Sequence, residues 1–475
     1  MAWQQARLIP TTGIGNDAEA EGRATSALLA VLGIVRPFSS VLLTPLGASR
    51  ARGALVETFI ETTFNTKSGK KVRPDGLIRV TYGKQEPWVA LVEVKTGKSK
   101  LSADQIESYL AVAKAEGFDC VITISNEIAP SPGLHPTAGV KVRANSKVAL
   151  HHLSWTKLLT DAVMEKSHRG IEDPEQAWIL GELIRYLEHP ASGTIAFDDM
   201  GENWVAVRDG ARDGTLTRRD EAVLDIAQRW DQLLGYASLR LGADIGEDVV
   251  ELVPRAQQLD PSLRSKAFVD SLLANGTLAG TLRIPDTIAD LEITVDLKAR
   301  QNIVAITFEA PSDKGGKGRI GWLVRQLKDA PPNLVIEAYP KSVRNGVAAS
   351  LGAAIEDSSV LIGPDKKEPA KFTLVARSEL GTKRKAGRTP GFAQSVVAAI
   401  ESFYGDVVQH LAAYQPRAPK LAPRRAKAPE IEHDPLPSVA LVNPAPERPD
   451  SQPSAISQPT AISNWLVGNW STGRP

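Results

Sequence analysis

The chain has 475 residues, of which 42% are hydrophobic, and it carries 56 Lys and Arg against 55 Asp and Glu. This length predicts two to four globular domains. No apolar run reaches the ~20 residues that a membrane-spanning helix needs, and the first residues lack the apolar core of a signal peptide. The single cysteine, Cys120, excludes an internal disulfide framework and a Cys-rich zinc site. We therefore expect a cytoplasmic protein with no membrane contact.

The formal net charge of +1 hides a strong asymmetry along the chain. Residues 1–160 carry 19 Lys and Arg against 13 Asp and Glu, whereas residues 161–290 carry 13 against 24. A basic segment is suited to a polyanion, and an acidic segment is not. We expect nucleic acid as the partner of residues 1–160. A protein partner is expected at the acidic middle region or at the C-terminal tail.

Residues 1–160 alternate helix and strand signals. The predicted elements are, in order, a helix at Asp17–Leu32, strands at Leu55–Thr63, Val72–Tyr82 and Trp88–Lys95, a helix from Ser102 to Ala115, and strands at Asp119–Ser125 and Val148–Leu153. This order predicts a mixed α/β domain with an αβββαβ core and helices on both faces of one sheet.

The remaining chain divides into three predicted regions. Residues 161–290 read as an acidic, mainly helical region, with a short strand pair within Phe197–Arg208. Residues 291–414 read as an α+β domain that ends in a long helix at Phe392–Ala413. Residues 415–475 hold 12 of the 32 prolines, so we predict a disordered tail. Its basic stretch, Arg417–Lys427, is either a solvated linker or a nonspecific nucleic-acid arm.

Three ionisable residues fall in or beside apolar strands of the first domain. Asp75 lies on one predicted strand, and Glu93 and Lys95 lie two residues apart on the next, so their side chains share one face. Charged groups in so apolar a strand are unfavourable unless each has a partner. A salt bridge to Lys95 is one partner; a divalent cation shared by Asp75 and Glu93 is the other, and carboxylates favour Mg²⁺ or Mn²⁺.

This pattern resembles the PD-(D/E)XK nuclease superfamily, which has the restriction-endonuclease-like fold. Pro74 and Asp75 are followed by seventeen residues and then by Glu93, Val94 and Lys95. The order of predicted elements also matches the core of the family. The next helix carries Gln105 and Tyr109, four residues apart, which resemble the Gln-x-x-x-Tyr element of the RecB-like branch.

The resemblance implies a role for each of these positions. Asp75 and Glu93 would bind Mg²⁺ or Mn²⁺, assisted by Glu21 of the first helix, which we favour over Glu19. Lys95 would activate or orient the attacking water. Gln105 and Tyr109 would support the site or hold the phosphate backbone. Glu57, on the first strand, is a further candidate ligand.

The implied function is metal-dependent hydrolysis of a nucleic-acid phosphodiester, with DNA favoured over RNA. A role in restriction and antiphage defence, DNA repair or stress response fits such a nuclease domain joined to further regions. The alternative is an inactive nuclease-fold protein that binds nucleic acid or a protein partner in a defence or stress complex. No feature of residues 161–475 resembles a family.

Basic residues flank the candidate site. Lys98 and Lys100 follow Lys95 directly, and Lys71 and Arg73 precede Asp75. Together they are candidates for a rim that contacts phosphates without reading sequence. The alternative is that they belong to a solvated loop.

Overall fold

A computed structural model of the chain describes residues 7–65, 69, 71–129, 135–137, 139–140, 146–194, 196–363 and 367–416. These residues form helices together with mixed and antiparallel sheets, which confirms the α/β class. The tail that we expect to be disordered, 415–475, lies outside the described residues apart from its first two positions.

Helices and strands alternate in the first part of the chain. The helices are α1 (Asp17–Ile34), α2 (Arg36–Leu43), α3 (Ala103–Glu116), α4 (Trp155–Val163) and α5 (Pro174–Leu187), with 3-10 turns at Thr44–Leu46 and Pro190–Ser192 and a π-helical turn at Met164–Arg169. The strands are β1 (Leu55–Ile60), β2 (Phe64–Asn65), β3 (Lys71–Val72), β4 (Gly76–Thr81), β5 (Trp88–Val94), β6 (Cys120–Ser125) and β7 (Ala149–Ser154).

The first sheet has the strand order β1-β4-β5-β6-β7. Strands β1, β4 and β5 are antiparallel neighbours, and β5, β6 and β7 run parallel. Every residue of β5 is buried because helices cover both sheet faces. One face packs against α1, α4 and α5, and the other packs against α3. The apolar core of this sheet therefore includes residues as late as Leu187.

The second part of the chain forms another sheet with its own helices. The helices are α6 (Trp204–Asp213), α7 (Glu221–Ile245), α8 (Arg255–Leu259), α9 (Pro261–Asn275), α10 (Gly316–Gln326), α11 (Leu351–Glu356) and α12 (Phe392–Asp406), with 3-10 turns at Ser358–Leu361 and Val408–His410. The strands are β8 (Val250–Glu251), β9 (Thr277–Arg283), β10 (Leu291–Asp296), β11 (Gln301–Glu309), β12 (Val335–Pro340), β13 (Val347–Ser350) and β14 (Pro369–Glu379).

This second sheet is antiparallel throughout, with the order β13-β12-β14-β11-β10-β9-β8. Alternate residues of β10 and β11 are buried against the helices of residues 204–275 and 316–406, as the period of two predicts. The helical residues of the acidic region therefore share one apolar core with the sheet that follows them.

One segment has a different type of secondary structure from the one predicted. The predicted strand pair within Phe197–Arg208 does not form, and α6 begins at Trp204 instead. Trp204, Val207 and Ala211 recur at helical spacing and are buried on one side. The short alternation around Trp204 imitates a strand locally, but burial of this helical face decides the structure.

In the part of the chain that the structure describes, no single helix is long and apolar enough to cross a membrane. The helix at Asp17–Ile34 and the segment Arg36–Leu46 meet that test only as a pair bent by 106°.

Candidate active site

Asp75 and Glu93 face each other at the ends of two adjacent strands. Gly76 of β4 pairs with Val92 of β5, which places the preceding Asp75 opposite Glu93. The main-chain N–H of Val94 donates to Asp75 Oδ2 at 2.7 Å and fixes this carboxylate against β5. The structure thus brings together the two acids of the sequence motif.

The Lys95 ammonium lies between three carboxylates. Its Nζ donates to Glu21 Oε1 at 2.9 Å, lies 2.7 Å from Glu93 Oε1, and is 3.9 Å from Asp75 Oδ2. It also donates to the Val94 carbonyl at 2.9 Å. Glu21 belongs to α1, which covers one face of the sheet, whereas α3 covers the other. Its side chain therefore reaches the site from the face opposite to α3.

Gln105 and Tyr109 form a hydrogen-bonded support behind Glu93. Gln105 Nε2 donates to Glu93 Oε1 at 2.7 Å and to the Tyr109 hydroxyl oxygen at 2.9 Å. The Tyr109 hydroxyl donates to the Arg73 carbonyl at 3.2 Å. The two residues lie one helical turn apart on α3, so both reach the strand ends. They tie the helix to the motif strands and orient Glu93.

Burial controls the protonation of this cluster. Glu93 is only 1% exposed, and burial together with the Asp75 charge raises its pKa to about 7 despite the neighbouring Lys95. Burial also raises the pKa of Glu21. Burial alone would lower the pKa of Lys95, but Glu93, Glu21 and Asp75 outweigh it and raise that pKa. Lys95 therefore remains an ammonium at neutral pH.

One carboxylate oxygen of the site has no hydrogen-bond partner among the described residues. Glu93 Oε2 is buried and unpaired, which is unfavourable for a charged oxygen. A hard divalent cation held by Glu93 and Asp75 would satisfy it. Mg²⁺ commonly uses one or two carboxylates and fills its other positions with water and phosphate. The donor types at this site therefore fit Mg²⁺ or Mn²⁺.

The Lys95 ammonium limits how many carboxylates of this cluster are available to bind a metal ion. Over the described residues, no group of three or more His, Cys, Asp or Glu side chains is arranged to hold a metal ion. Glu21 is engaged by Lys95 at 2.9 Å. The structure therefore offers Glu93 and Asp75 as the principal donors, with Glu21 joined to them through Lys95.

The predicted basic rim is exposed, and one of its members is paired. Lys71, Lys98 and Lys100 are exposed to solvent. Arg73 forms a salt bridge with Glu61 at 2.7 Å. Glu57, on β1, is not brought to the site. Its Oε2 lies 3.7 Å from Nη1 of Arg79 on β4, and Glu57 is three residues from the end of β1 that borders Gly76. Our expectation of Glu57 as a further ligand is therefore wrong.

The structure adds residues that the sequence reading does not single out. The turn after Lys95 is held by Gly193, whose carbonyl accepts from the Gly97 N–H at 2.7 Å. Asn126 Nδ2 donates to the Gly97 carbonyl at 3.1 Å and to the Gly193 carbonyl at 2.8 Å. The Trp155 indole N–H donates to the Lys95 carbonyl at 2.9 Å.

Only part of this support has a signal in the sequence. Asn126 directly follows β6, the parallel neighbour of β5, and parallel strands bring their carboxyl ends to the same sheet edge. Asn126 could thus have been found from the strand assignment. Gly193 could not, because it comes from a turn almost a hundred residues after Lys95.

Comparison with known proteins adds no relative: the chain matches no protein-family model, and no curated protein matches it. The assignment of a function therefore depends on the chemistry of the site.

Proposed function

We propose that the chain is a metal-dependent phosphodiester hydrolase that acts on nucleic acid, with DNA favoured over RNA. One observation carries the proposal: Asp75, Glu93 and Lys95 converge at one sheet edge, with Glu21 and Gln105 bonded to them. Carboxylates beside an ammonium, with a buried unpaired carboxylate oxygen, fit hydrolysis with a divalent cation.

The order of elements supports a restriction-endonuclease-like fold for this region. A helix precedes three antiparallel strands, β1, β4 and β5, and a helix then leads to the parallel strand β6. This is the αβββαβ core that the PD-(D/E)XK resemblance implies. We propose that residues 1–160 carry the nuclease motifs, with helix α5 completing the core of their sheet. The acidic helical region 161–290 and the α+β region 291–414 share a second core over residues 200–411, and the tail 415–475 follows.

Each residue of the site has a defined task in this mechanism. Glu93 and Asp75 would hold Mg²⁺ or Mn²⁺, which when bound polarises the phosphate and makes water more nucleophilic. Lys95 donates hydrogen bonds and, as a cation, orients the attacking water and stabilises negative charge that develops on the phosphate. Gln105 and Tyr109 keep Glu93 in place, and Glu21 keeps Lys95 in place.

The cationic surface beside the site supports a polyanionic substrate. Lys71, Lys98 and Lys100 are exposed around the Asp75 and Lys95 segments. Contacts from lysine to phosphates give affinity without base recognition. We therefore propose binding through the nucleic-acid backbone.

A second candidate function follows from the Lys95 contacts. Its ammonium compensates Glu21 and Glu93 directly, so the cluster can also be a purely structural ion network. The protein would then be an inactive nuclease-fold module that binds nucleic acid or a protein partner. This candidate predicts binding without cleavage.

A cleavage assay separates the two candidates. End-labelled single- and double-stranded DNA and RNA are incubated with wild type, Glu93→Ala and Lys95→Ala in Mg²⁺, Mn²⁺ or EDTA. We expect DNA cleavage by wild type with either metal, and loss of activity in both variants and in EDTA. Glu57→Ala is the matched control, a carboxylate on a neighbouring strand outside the site, and should cleave like wild type. Wild type that cleaves no substrate contradicts the enzyme proposal, and cleavage that persists in both variants contradicts the site.

A further inference from the structure

The second sheet leaves a groove beside helix α12. Its volume is about 1000 Å³. The end of β14 lines one wall, residues of α12 between Gln394 and Asp406 line another, and residues 331–335 close one side. This volume lies at the upper end of the range for ligand pockets in proteins. The groove belongs to residues 291–414 and contains none of the nuclease-site residues.

One edge of β14 is open where it borders this groove. Strand β12 pairs with β14 only as far as Val335, which lies opposite Val375. On its other side β14 stays paired with β11 as far as Glu379, opposite Gln301. Residues 376–379 therefore have a neighbouring strand on one side only.

The alternation of hydrogen bonds identifies which main-chain groups face the groove. Successive residues of an antiparallel strand direct their N–H and C=O groups to opposite sides. Leu380 N–H donates to the Arg300 carbonyl at 3.0 Å, so even-numbered residues of this stretch bond toward β11. Arg377 therefore directs its main-chain N–H and C=O toward the groove.

The groove also carries excess positive charge. Arg300, Arg377 and Lys383 line it, and none of them forms an ion pair with another described residue. By contrast, Arg384 pairs with Asp199 at 3.2 Å. Two acids, Glu379 and Asp406, also line the groove. Three cations against two acids leave a positive excess without an internal partner.

We propose that this groove binds an extended, acidic peptide segment of a partner protein, which adds a strand to the free edge of β14. A peptide supplies main-chain donors and acceptors at strand spacing, about 3.3 Å per residue, whereas a nucleic-acid strand does not. Main-chain bonds to an open sheet edge give affinity, and side-chain contacts give specificity. Acidic side chains of the segment pair with Arg300, Arg377 and Lys383.

The test uses two fluorescein-labelled peptides, Glu-Thr-Glu-Val-Glu-Thr and the same peptide with Lys in place of each Glu. Fluorescence polarisation with the full chain should show binding of the acidic peptide at least about tenfold tighter than the Lys peptide, because the cations favour one sign of charge. The acidic peptide should also slow amide hydrogen exchange over residues 376–380.

Variants locate the site on this groove. Arg377→Glu combined with Lys383→Glu should weaken the acidic peptide by about tenfold or more, and Ala398→Trp, on the exposed side of α12, should block it by filling the groove. Arg344→Glu is the matched control: it reverses an exposed charge that does not line the groove and should leave binding unchanged. Thermal melting of each variant confirms that it is folded.

Three results overturn the proposal. One is the absence of saturable binding by the acidic peptide, and another is equal binding of both peptides. For the third, ATP or a single-stranded deoxyoligonucleotide is titrated in parallel. The contradicting result is that the double variant loses this binding while its peptide binding is unaffected. That result assigns the groove to nucleotide phosphates.

Discussion

Glu93 combines deep burial with two close polar contacts and a neighbouring negative charge. Lys95, Gln105 and the Asp75 charge all act on a carboxylate that is 1% exposed. Because burial dominates, its pKa rises to about 7. The folded protein therefore binds a proton at Glu93 in a pH range where the unfolded chain has already released it.

The stability of the metal-free protein should report this shift. The unfolded carboxyl titrates near 4.5 and the folded one near 7, so the Glu93 contribution to stability is complete below pH 4.5 and is lost as pH rises through 7. Because glutamine does not titrate, the Glu93→Gln variant does not lose this stability as the pH rises. We expect the stability of Glu93→Gln relative to wild type to rise by up to about 3 kcal/mol between pH 4.5 and 8.

Urea denaturation in EDTA at several pH values measures this difference. A relative stability of Glu93→Gln that stays constant or falls across this interval contradicts the assignment of Glu93 as a buried carboxyl with a raised pKa.

The exposed lysines beside the site should control the salt dependence of DNA binding. Each phosphate contact that is lost lowers the slope of log K against log salt by about 1. Lys98→Ala combined with Lys100→Ala should therefore reduce the slope by about 2. Lys84→Ala, in the exposed turn at the other end of β5, is the control and should leave the slope unchanged. An unchanged slope in the double variant shows that these lysines belong to a solvated loop.

At this scale the sequence predicts the chemical groups but not their contacts. The period of two places Glu93 and Lys95 on one face, and the helical period pairs Gln105 with Tyr109. The reach of Glu21 to Lys95 depends on how α1 crosses the sheet, which local periodicity does not contain. Glu57 fails as a ligand because the register of β1 with β4 places it beside Arg79.

At the scale of elements, the turn at residues 190–194 contacts the segment that follows Lys95. Gly193 has φ of +74°, and a Cβ there would lie 2.9 Å from the Thr96 Cβ. The Gly97 N–H and Asn126 both donate to its carbonyl. This turn, which comes from beyond the motif, therefore fixes the position of Lys95.

Gly193→Ala should damage both folding and activity. A side chain adds left-handed strain, about 1 kcal/mol, and a contact with Thr96 that the turn can relieve only by moving away from Gly97. We expect a larger loss of stability than in the control Gly214→Ala. Gly214 has φ of +71° but open space around a Cβ. Thermal denaturation and cleavage rates of the two variants check this, and equal effects would show that the contact with Thr96 is unimportant.

Element boundaries follow the sequence where a residue has a strong conformational preference. Gly117, with φ of +76°, ends α3 as its position predicts. Pro74 separates β3 from β4 within the stretch that we predict as one strand, because proline disrupts strand pairing. Within Phe197–Arg208, Gly201 has φ of +83° three residues before α6 begins, and burial of Trp204 favours the helix that follows.

At the scale of the molecule, thirteen of the 24 acidic residues of the middle region form salt bridges with other described residues. Arg264 contacts Asp231 and Glu251 in a buried triad that joins α9, α7 and β8. Asp199 pairs with Arg384, and Asp198 with Lys385. Part of the uneven charge along the sequence is therefore neutralised by ion pairs between regions, which composition alone does not reveal.

The buried triad should contribute far more to stability than a surface pair. Arg264→Met removes the buried cation that Asp231 and Glu251 share, a change that costs about 3–5 kcal/mol. Arg283→Met breaks the exposed pair with Asp290 and should cost far less, because solvent screens an exposed ion pair. Urea denaturation of the two variants provides the comparison, and similar losses would contradict the importance of the triad.

The most direct test of the proposed hydrolase measures DNA binding and single-turnover cleavage on the same Lys95→Met sample. We predict cleavage at least about 100-fold slower than in wild type with Mg²⁺, while binding changes little because Lys98 and Lys100 remain. Cleavage at the wild-type rate would contradict the role of Lys95 and the proposed site.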